Sequence, residues 1–425
     1  MTGPLTGIAE RRVSALLDDL VRIEPVIALH GPRSVGKSTV LSVLADARGV
    51  PVLDLDELGT RDAVTANPQT AVATQGLLCV DEYQHAPQIL DALKARLNRE
   101  GSLPGTAVLT GSTRQDALPR TAQALTGRLH TMTIWPLSQG EIYGVNEDFL
   151  PALRADPETT VAARPSSTTA RTEYVDRLCA GGFPLALRRV GAARDRWFDN
   201  YIRQSLKRDA IELVRIRQRN MLRELLGRLA GRTGQILNLA NVSQGLTGER
   251  RTIEDYVRLL EDLFLIDRLP AWGKTLRSRS AASPKVHVID TGVAARLMRI
   301  TPAKLAGLDP TALVEFGHLL ETFVVGELRK QTSWLDEEVS TGHWRTHDGD
   351  EVDYVIEFND GRVLAFEVKA NERVSGADLK GLRTLRETLG DRFIAGVALS
   401  TGLRSFTYED RIHIMPVDRL WTSIG

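Results

Sequence analysis

Short apolar runs of strand length recur through the first 110 residues, each followed by a stretch with helix-compatible spacing. Residues 25–30, 50–55, 76–82 and 106–110 are the strand candidates; 13–20 form an amphipathic lead-in helix and 39–45 continue as a helix after the first strand. Strands separated by helices predict an α/β fold: a parallel, doubly wound sheet with ligand-binding groups gathered at the strand C-terminal ends. After residue 150 the pattern changes. Residues 151–170, rich in Pro, Ser, Thr and Ala, read as a flexible insertion, and 171–220 as a helical lid. Helices at 221–230, 236–246 and 252–263 and an extended segment at 264–272 trace a winged-helix outline. The last part reads as a helix (319–328), a hairpin turning at Asp348-Gly349, strands at 351–356 and 363–369, a helix at 377–389 and a strand at 393–399. The expected division is 1–150, 151–220, 221–300 and 301–425.

The first strand runs into Gly31-Pro32-Arg33-Ser34-Val35-Gly36-Lys37-Ser38, the pattern G-x-x-x-x-G-K-[ST]. A triphosphate is bound mainly by backbone N–H groups of a turn and by the positive end of a helix, and glycine at 31 and 36 lets the backbone close in. Lys37 then reaches the β- and γ-phosphates and the Ser38 hydroxyl coordinates Mg²⁺; Ser34 and Thr39 complete the expected nucleotide contacts. Asp81 ends the third strand where such an enzyme keeps the carboxylate that holds Mg²⁺, and Glu82 is placed to polarise the attacking water. Capping of the next helix is the competing reading for this acidic pair. Ser112, after the fourth strand, is a γ-phosphate sensor or an ordinary N-cap. Arg114 and Arg128 are candidates for an arginine finger offered to the nucleotide of a neighbouring subunit in a homo-oligomer.

Charge changes the picture of the middle. The chain is neutral overall, yet residues 201–300 hold 19 Lys and Arg against 10 Asp and Glu, a net +9, whereas 301–425 hold 14 against 21, a net −7. Arg203, Lys207, Arg208, Arg215, Arg217 and Arg219, and further on Arg250, Arg251 and Arg258, make this block an expected contact for an anionic partner, DNA ahead of RNA, with a solvated basic surface as the alternative. Only nine of 54 basic residues are lysine, so a lysine that persists invites a chemical reason. Cys79 and Cys179 have no paired spacing, and there is neither a leader nor an apolar run of membrane-spanning length, which together predict a cytoplasmic protein with no membrane partner.

In the acidic last part, Glu367 and Lys369 lie two apart on one strand face and Asp353 on an adjacent strand. Two carboxylates converging on one point ask for a cation, and oxygen ligands suit Mg²⁺ or Mn²⁺. Lys369 is placed to hold the attacking water or to stabilise the phosphorane, and Glu321 to add a third carboxylate. A solvated strand face with alternating charges is the bland alternative. This D…ExK arrangement resembles the restriction-endonuclease-like nucleases. Together with the P-loop, residues 77–84, Thr110-Gly111-Ser112, Gly127-Arg128, Trp135-Pro136-Leu137-Ser138 with Glu141, and Gly181-Gly182-Phe183-Pro184, it is similar to the prokaryotic AAA-like ATPases that carry a C-terminal domain of unknown function. The resemblance implies ATP as the nucleotide, an AAA-type first domain and a nuclease-like α/β last domain. It leaves two functions open: an ATPase coupled to nucleic-acid binding and metal-dependent phosphodiester cleavage, or a nucleotide-driven switch whose nuclease-like domain is inactive.

Overall fold

The computed structural model describes residues 5–114, 125–163, 166–209, 219–246, 248–273 and 283–423. Strands β1 (Val26–His30), β2 (Val52–Asp54), β3 (Leu78–Asp81), β4 (Ala107–Gly111) and β5 (Leu129–Thr133) form one parallel sheet in the order β2-β3-β4-β1-β5. All five residues of β1 and of β4 are buried, as the continuous apolar runs of central parallel strands require. Helix α1 (Val13–Val21) precedes β1, and α2 (Lys37–Arg48) follows it directly, so the glycine-rich loop opens at the C-terminal edge of the sheet.

Residues 151–170 correct the expectation of a flexible insertion. Over 149–163 they fold as α3 (Phe149–Ala155) and α4 (Pro157–Ala163), burying Phe149, Leu150, Leu153 and Val161. Proline misled the composition argument: Pro157 opens a helix, where its missing N–H costs nothing. Helices α5 (Arg171–Ala180) and α6 (Gly191–Gln204) follow. Arg215 and Arg217 of the basic stretch lie outside the described residues.

In the middle of the chain α7 (Arg219–Ala230), α8 (Leu239–Ser243) and α9 (Arg250–Asp262) accompany a three-stranded antiparallel sheet, β6 (Gln235–Ile236), β8 (Lys285–Val288) and β7 (Ile266–Leu269), in that order. Helix α9 buries Ile253, Tyr256, Val257 and Leu260, spaced i, i+3, i+4, i+7, and leaves Arg250, Arg251 and Arg258 exposed. After α10 (Thr291–Leu297), the 23-residue α11 (Pro310–Thr332), capped by Asp309, packs on a six-stranded mixed sheet. Its order is β13 (Phe406–Glu409), β14 (Ile412–Pro416), β12 (Phe393–Ser400), β11 (Val363–Lys369), β10 (Glu351–Glu357), β9 (Ser340–Arg345), and α12 (Lys380–Leu389) covers β10. Pairing of Tyr354 with Phe366 across β10 and β11 brings Asp353 and Glu367 side by side at the next step.

The parts share one core. Phe149 meets Phe366 and Tyr174 meets Trp421, with ring centroids 6.2 and 6.3 Å apart. A polar joint accompanies it: Glu327 of α11 accepts from Gln139 N (2.8 Å), Lys330 donates to Leu137 O (3.0 Å), and Glu147 accepts from Ser138 Oγ (2.5 Å) and Gly140 N (2.9 Å). Burial pushes the Glu147 carboxyl up from 4.5 to about 7, against the Ser138 hydroxyl that pulls it down. An acid whose folded pKa is raised holds its proton more firmly when folded, so stability falls as pH rises from about 4.5 to about 7. Glu147→Gln keeps an acceptor for both donors and removes the charge. In thermal melts it is expected to match the parent near pH 4.5 and to exceed it at pH 8 by about 3 kcal/mol.

Candidate functional site

The glycine-rich loop is shaped by its backbone. Gly36 has φ 97°, Ser34 takes the left-handed region at φ 64°, and a Cβ on Gly31 would collide with the Ile134 carbonyl. The Lys37 ammonium is buried and donates to Gly31 O (3.0 Å) and Pro32 O (2.9 Å), at the mouth of the cradle it would leave to meet phosphate. Ser38 Oγ bonds Asp81, which also accepts from Thr110 Oγ1. Burial raises the Asp81 pKa, and these two hydroxyls pull it back. Hard oxygens from a hydroxyl and a carboxylate at one point fit Mg²⁺.

Glu82 sits in the left-handed region (φ 53°), its N–H on Thr110 Oγ1 (3.0 Å) and its carboxylate accepting from Ser112 Oγ (3.0 Å) and Gln84 Nε2. Burial acts to raise its pKa, but the Lys37 ammonium, Gln84, Arg33 and Ser112 outweigh burial and hold it below the usual glutamate range. Ser112 is thus brought to Glu82. Thr39 lines a cavity of about 70 Å³ with Leu5, Ile8, Leu137, Pro184 and Arg188. Arg128 is different. It precedes β5, at the N-terminal edge of the parallel sheet, five strand residues or about 16 Å from the loop edge. There it donates to Asn98 Oδ1 (2.7 Å), so the expected contact with nucleotide is open to it only toward a neighbouring copy. Arg114 is engaged within the chain, on Glu261 O (3.1 Å) and Asp267 Oδ1 (2.7 Å).

Sequence reasoning missed a positioning residue. Arg11, almost fully buried, donates to Val35 O (2.7 Å), Trp135 O (2.8 Å) and Glu141 Oε1 (2.9 Å), bracing the loop from behind. The Gly181-Gly182 pair is clamped as well: Gly182 N donates to Asp290 Oδ2 (2.6 Å), Gly182 O accepts from Leu137 N (2.8 Å), and a Cβ on either glycine would collide with these partners.

The second site opens as a cleft of about 860 Å³ between the middle of the chain and the last sheet. Its floor holds Glu321, Asp353, Glu367 and Lys369, the four residues expected there, together with Glu351 and Lys285, which were not. Lys285 of β8 is 2% exposed and donates to Glu351 (2.5 Å), Asp353 Oδ1 (2.7 Å) and Glu321 Oε1 (2.8 Å). Asp353 Oδ2 accepts from Val368 N (2.8 Å), and Glu367 Oε1 from Lys369 Nζ (2.8 Å). Burial, then Asp353, pushes Glu321 up to about 8 and raises Glu367 strongly. Burial disfavours charge on Lys285, but Asp353, Glu321 and Glu351 outweigh burial and hold it protonated. The expected divalent-metal site on Asp353 and Glu367 is corrected here. Among the described residues no three His, Cys, Asp or Glu are placed to hold a metal ion, because an ammonium stands between the carboxylates. Lysine scarcity is the one signal in the sequence that could have drawn attention to Lys285, one of nine lysines in the chain. Strand β8 carries Lys285 into the acid cluster, and Asp290, two residues past its end, accepts from Gly182 N.

Residues 24–143 match the model of an AAA domain, and residues 171–304 and 316–420 match two models each described as a domain of unknown function. The chain is similar to uncharacterized proteins of Mycobacterium tuberculosis and Mycobacterium bovis, each 27% identical over 420 residues, covering 98% of this chain and 85% of the relative. An uncharacterized protein of Haemophilus influenzae is 24% identical over 222 residues, 50% of each chain. Solved structures with a likeness include a Walker-type ATPase of Pyrococcus abyssi (15% identity, TM-score 0.42, 69% of this chain and 96% of that one). Another is AMPPCP-bound DnaA from Aquifex aeolicus (12% identity, TM-score 0.27, 59% and 85%). The AAA-domain match supports an AAA-like, ATP-binding ATPase in the first part of the chain. Among the described residues no helix is long and apolar enough to cross a membrane.

Proposed function

We propose that this chain is a Mg²⁺-dependent ATPase that couples ATP hydrolysis to nucleic-acid binding, DNA ahead of RNA, through a winged-helix-like middle module. The observation that carries the ATPase reading is the meeting of Lys37, the Ser38–Asp81 pair and Glu82 at one edge of a parallel sheet. The amides that open α2 bind phosphate, and the apolar cavity beside Thr39 takes the base. Lys37 moves from the Gly31 and Pro32 carbonyls to the β- and γ-phosphates, while Glu82 orients the attacking water and draws its proton. Mg²⁺, held by Ser38 and Asp81, supplies charge neutralisation on the transferred phosphoryl group. Rearrangement at the phosphates reaches the rest of the chain through Gly182, Asp290 and β8.

Nucleic-acid binding is supported by the exposed Arg250, Arg251 and Arg258 on α9 and by the net +9 of residues 201–300. For the last part, Lys285 among the carboxylates favours the switch reading over constitutive phosphodiester cleavage by a nuclease-like fold. The test is ATP turnover and duplex binding measured together. Wild type is expected to hydrolyse ATP and to bind labelled duplex DNA. Replacing Arg250, Arg251 and Arg258 by alanine should weaken duplex binding and flatten its log–log salt slope by about 3, leaving DNA-free ATP turnover unchanged. An unchanged salt slope in the triple variant overturns α9 as the nucleic-acid contact, and an inert wild type overturns the ATPase reading.

A further inference from the structure

We infer that Arg114 is a positioning residue for hydrolysis: through Ser112 it ties the Glu82 carboxylate to the end of α9, so that the rate of the chemical step, and not nucleotide affinity, answers to the middle of the chain. The inference rests on the ATPase reading and adds to it a residue outside the phosphate cradle. The C-terminal end of β4 holds both carboxylates of the nucleotide site. Thr110 Oγ1 donates to Asp81 and accepts from Glu82 N (3.0 Å), and Ser112 Oγ donates to Glu82 Oε2 (3.0 Å). Thr113 O accepts from Nδ1 of His30 (2.5 Å), the residue before Gly31. Arg114 then leaves this sheet for another part of the fold. Its N–H donates to Asp262 O (3.1 Å) and its Nε to Glu261 O (3.1 Å), both at the end of α9. Its Nη2 donates to Asp267 Oδ1 of β7 (2.7 Å), and the guanidinium lies 5.1 Å from the centre of the Phe264 ring.

Two residues of chain span at most about 7 Å, so Ser112 has little slack relative to that anchor. The anchor is itself fixed: Arg268 Nε donates to Glu261 Oε2 (2.6 Å), and Arg329 of α11 meets Asp267 (2.7 Å). Phe264, between α9 and β7, is buried in the left-handed region at φ 53°, which a bulky residue adopts only where its surroundings hold it. The ladder decides which carboxylate feels a displacement of α9 or β7. Thr110 lies inside it, paired with Leu29, whereas Ser112 lies past the last pair, His30 with Gly111. A shift at Arg114 therefore reaches Glu82 and spares Asp81, while Lys37 and Ser38 are carried by α2 after β1. Misplacing a reacting group by about 1 Å costs on the order of 100-fold in rate.

The experiment is single-turnover hydrolysis with calorimetric ATP affinity on the full chain. Arg114→Ala is expected to bind ATP as the parent does and to hydrolyse it on the order of 10- to 100-fold more slowly. In the Glu82→Gln background the same change should cost little more, because the two residues act as one unit. Asp267→Asn, assayed on folded protein, should lower the same rate and add little to Arg114→Ala. Arg114→Lys, which keeps a cation for Asp267, serves with a smaller loss if the alanine variant does not fold. Mixing Arg114→Ala protein with Glu82→Gln protein should restore no turnover. Restored turnover means that the arginine serves the nucleotide of a neighbouring copy and overturns the inference, as does a loss of affinity in step with rate. An inert wild type removes the ATPase reading and this inference with it, whereas an active wild type beside an equally active Arg114→Ala removes this inference alone.

Discussion

Glu82→Gln is expected to bind ATP as tightly as the parent and to turn it over about 100- to 10,000-fold more slowly, the range for loss of a positioned general base. Glu82 is singled out by where it is held. Its backbone is in the left-handed region, which turns the carboxylate off the end of β3, and Ser112 and Gln84 fix its orientation. Lys37 keeps it charged well into mildly acidic solution, with Gln84, Arg33 and Ser112 assisting against burial. The glutamine is isosteric and leaves Lys37, Ser38 and Asp81 untouched, so affinity measured calorimetrically separates from single-turnover hydrolysis. The acid limb of the parent's rate profile should lie below the ordinary glutamate range. Hydrolysis at the parental rate in the glutamine variant places the base elsewhere.

Asp267→Ala is expected to destabilise the fold by about 3 kcal/mol, as removal of one partner from a buried ion network does. The side chain of Asp267 is 13% exposed and receives Arg114 from the end of β4 and Arg329 from α11, each at 2.7 Å. One carboxylate on β7 thus joins the nucleotide-binding sheet, the middle helices and the last domain. Arg114 also lies over Phe264 and Arg329 over Trp135, so the alanine variant leaves the largely buried Arg329 without this carboxylate and the Arg114 side chain with only its Glu261 hydrogen bond. Burial acts to raise the Asp267 pKa, but Arg329 and Arg114 prevail and lower it. A depressed acid contributes stability that is present above its unfolded value, about 3.9, and is lost as pH falls through the folded value below it. The gap between parent and variant should therefore stay constant from pH 5 to 8 and close below about pH 3.9. A constant gap down to pH 3 refutes the ion-pair account and leaves a packing defect.

Three of the four strands of the first sheet that were read from sequence, β1, β3 and β4, are buried throughout, where an unbroken apolar run leaves few alternatives; the fourth, β2, is half-buried to exposed. Missed strands carry polar residues that only their neighbours explain. In β5, Leu129, His130 and Thr131 are half-buried or exposed; in β8, Lys285 and His287 are buried, the first by three carboxylates distant in sequence. Residues 151–163 failed for the opposite reason: their proline and alanine content resembles a linker, while Phe149, Leu150, Leu153 and Val161 supply an apolar face that packs. That Asp353 and Glu367 lie on adjacent strands was legible from strand periodicity; the Lys285 ammonium on Asp353 was not.

By itself the sequence determined the phosphate cradle, since a backbone-lined loop between a strand and a helix is specified by eight consecutive residues, Gly31 to Ser38, and glycine leaves the backbone little choice. It also determined which carboxylates share a strand face. Only the tertiary structure decided what each charge meets: Arg11 behind the loop, Asp267 between two arginines, and Lys285 where a metal was expected. The physical reason is range. Local conformation follows from neighbours a few residues away, whereas the state of a buried charge such as Lys285 depends on partners brought from 36 to 68 residues off, and the chain records no local trace of which partner arrives.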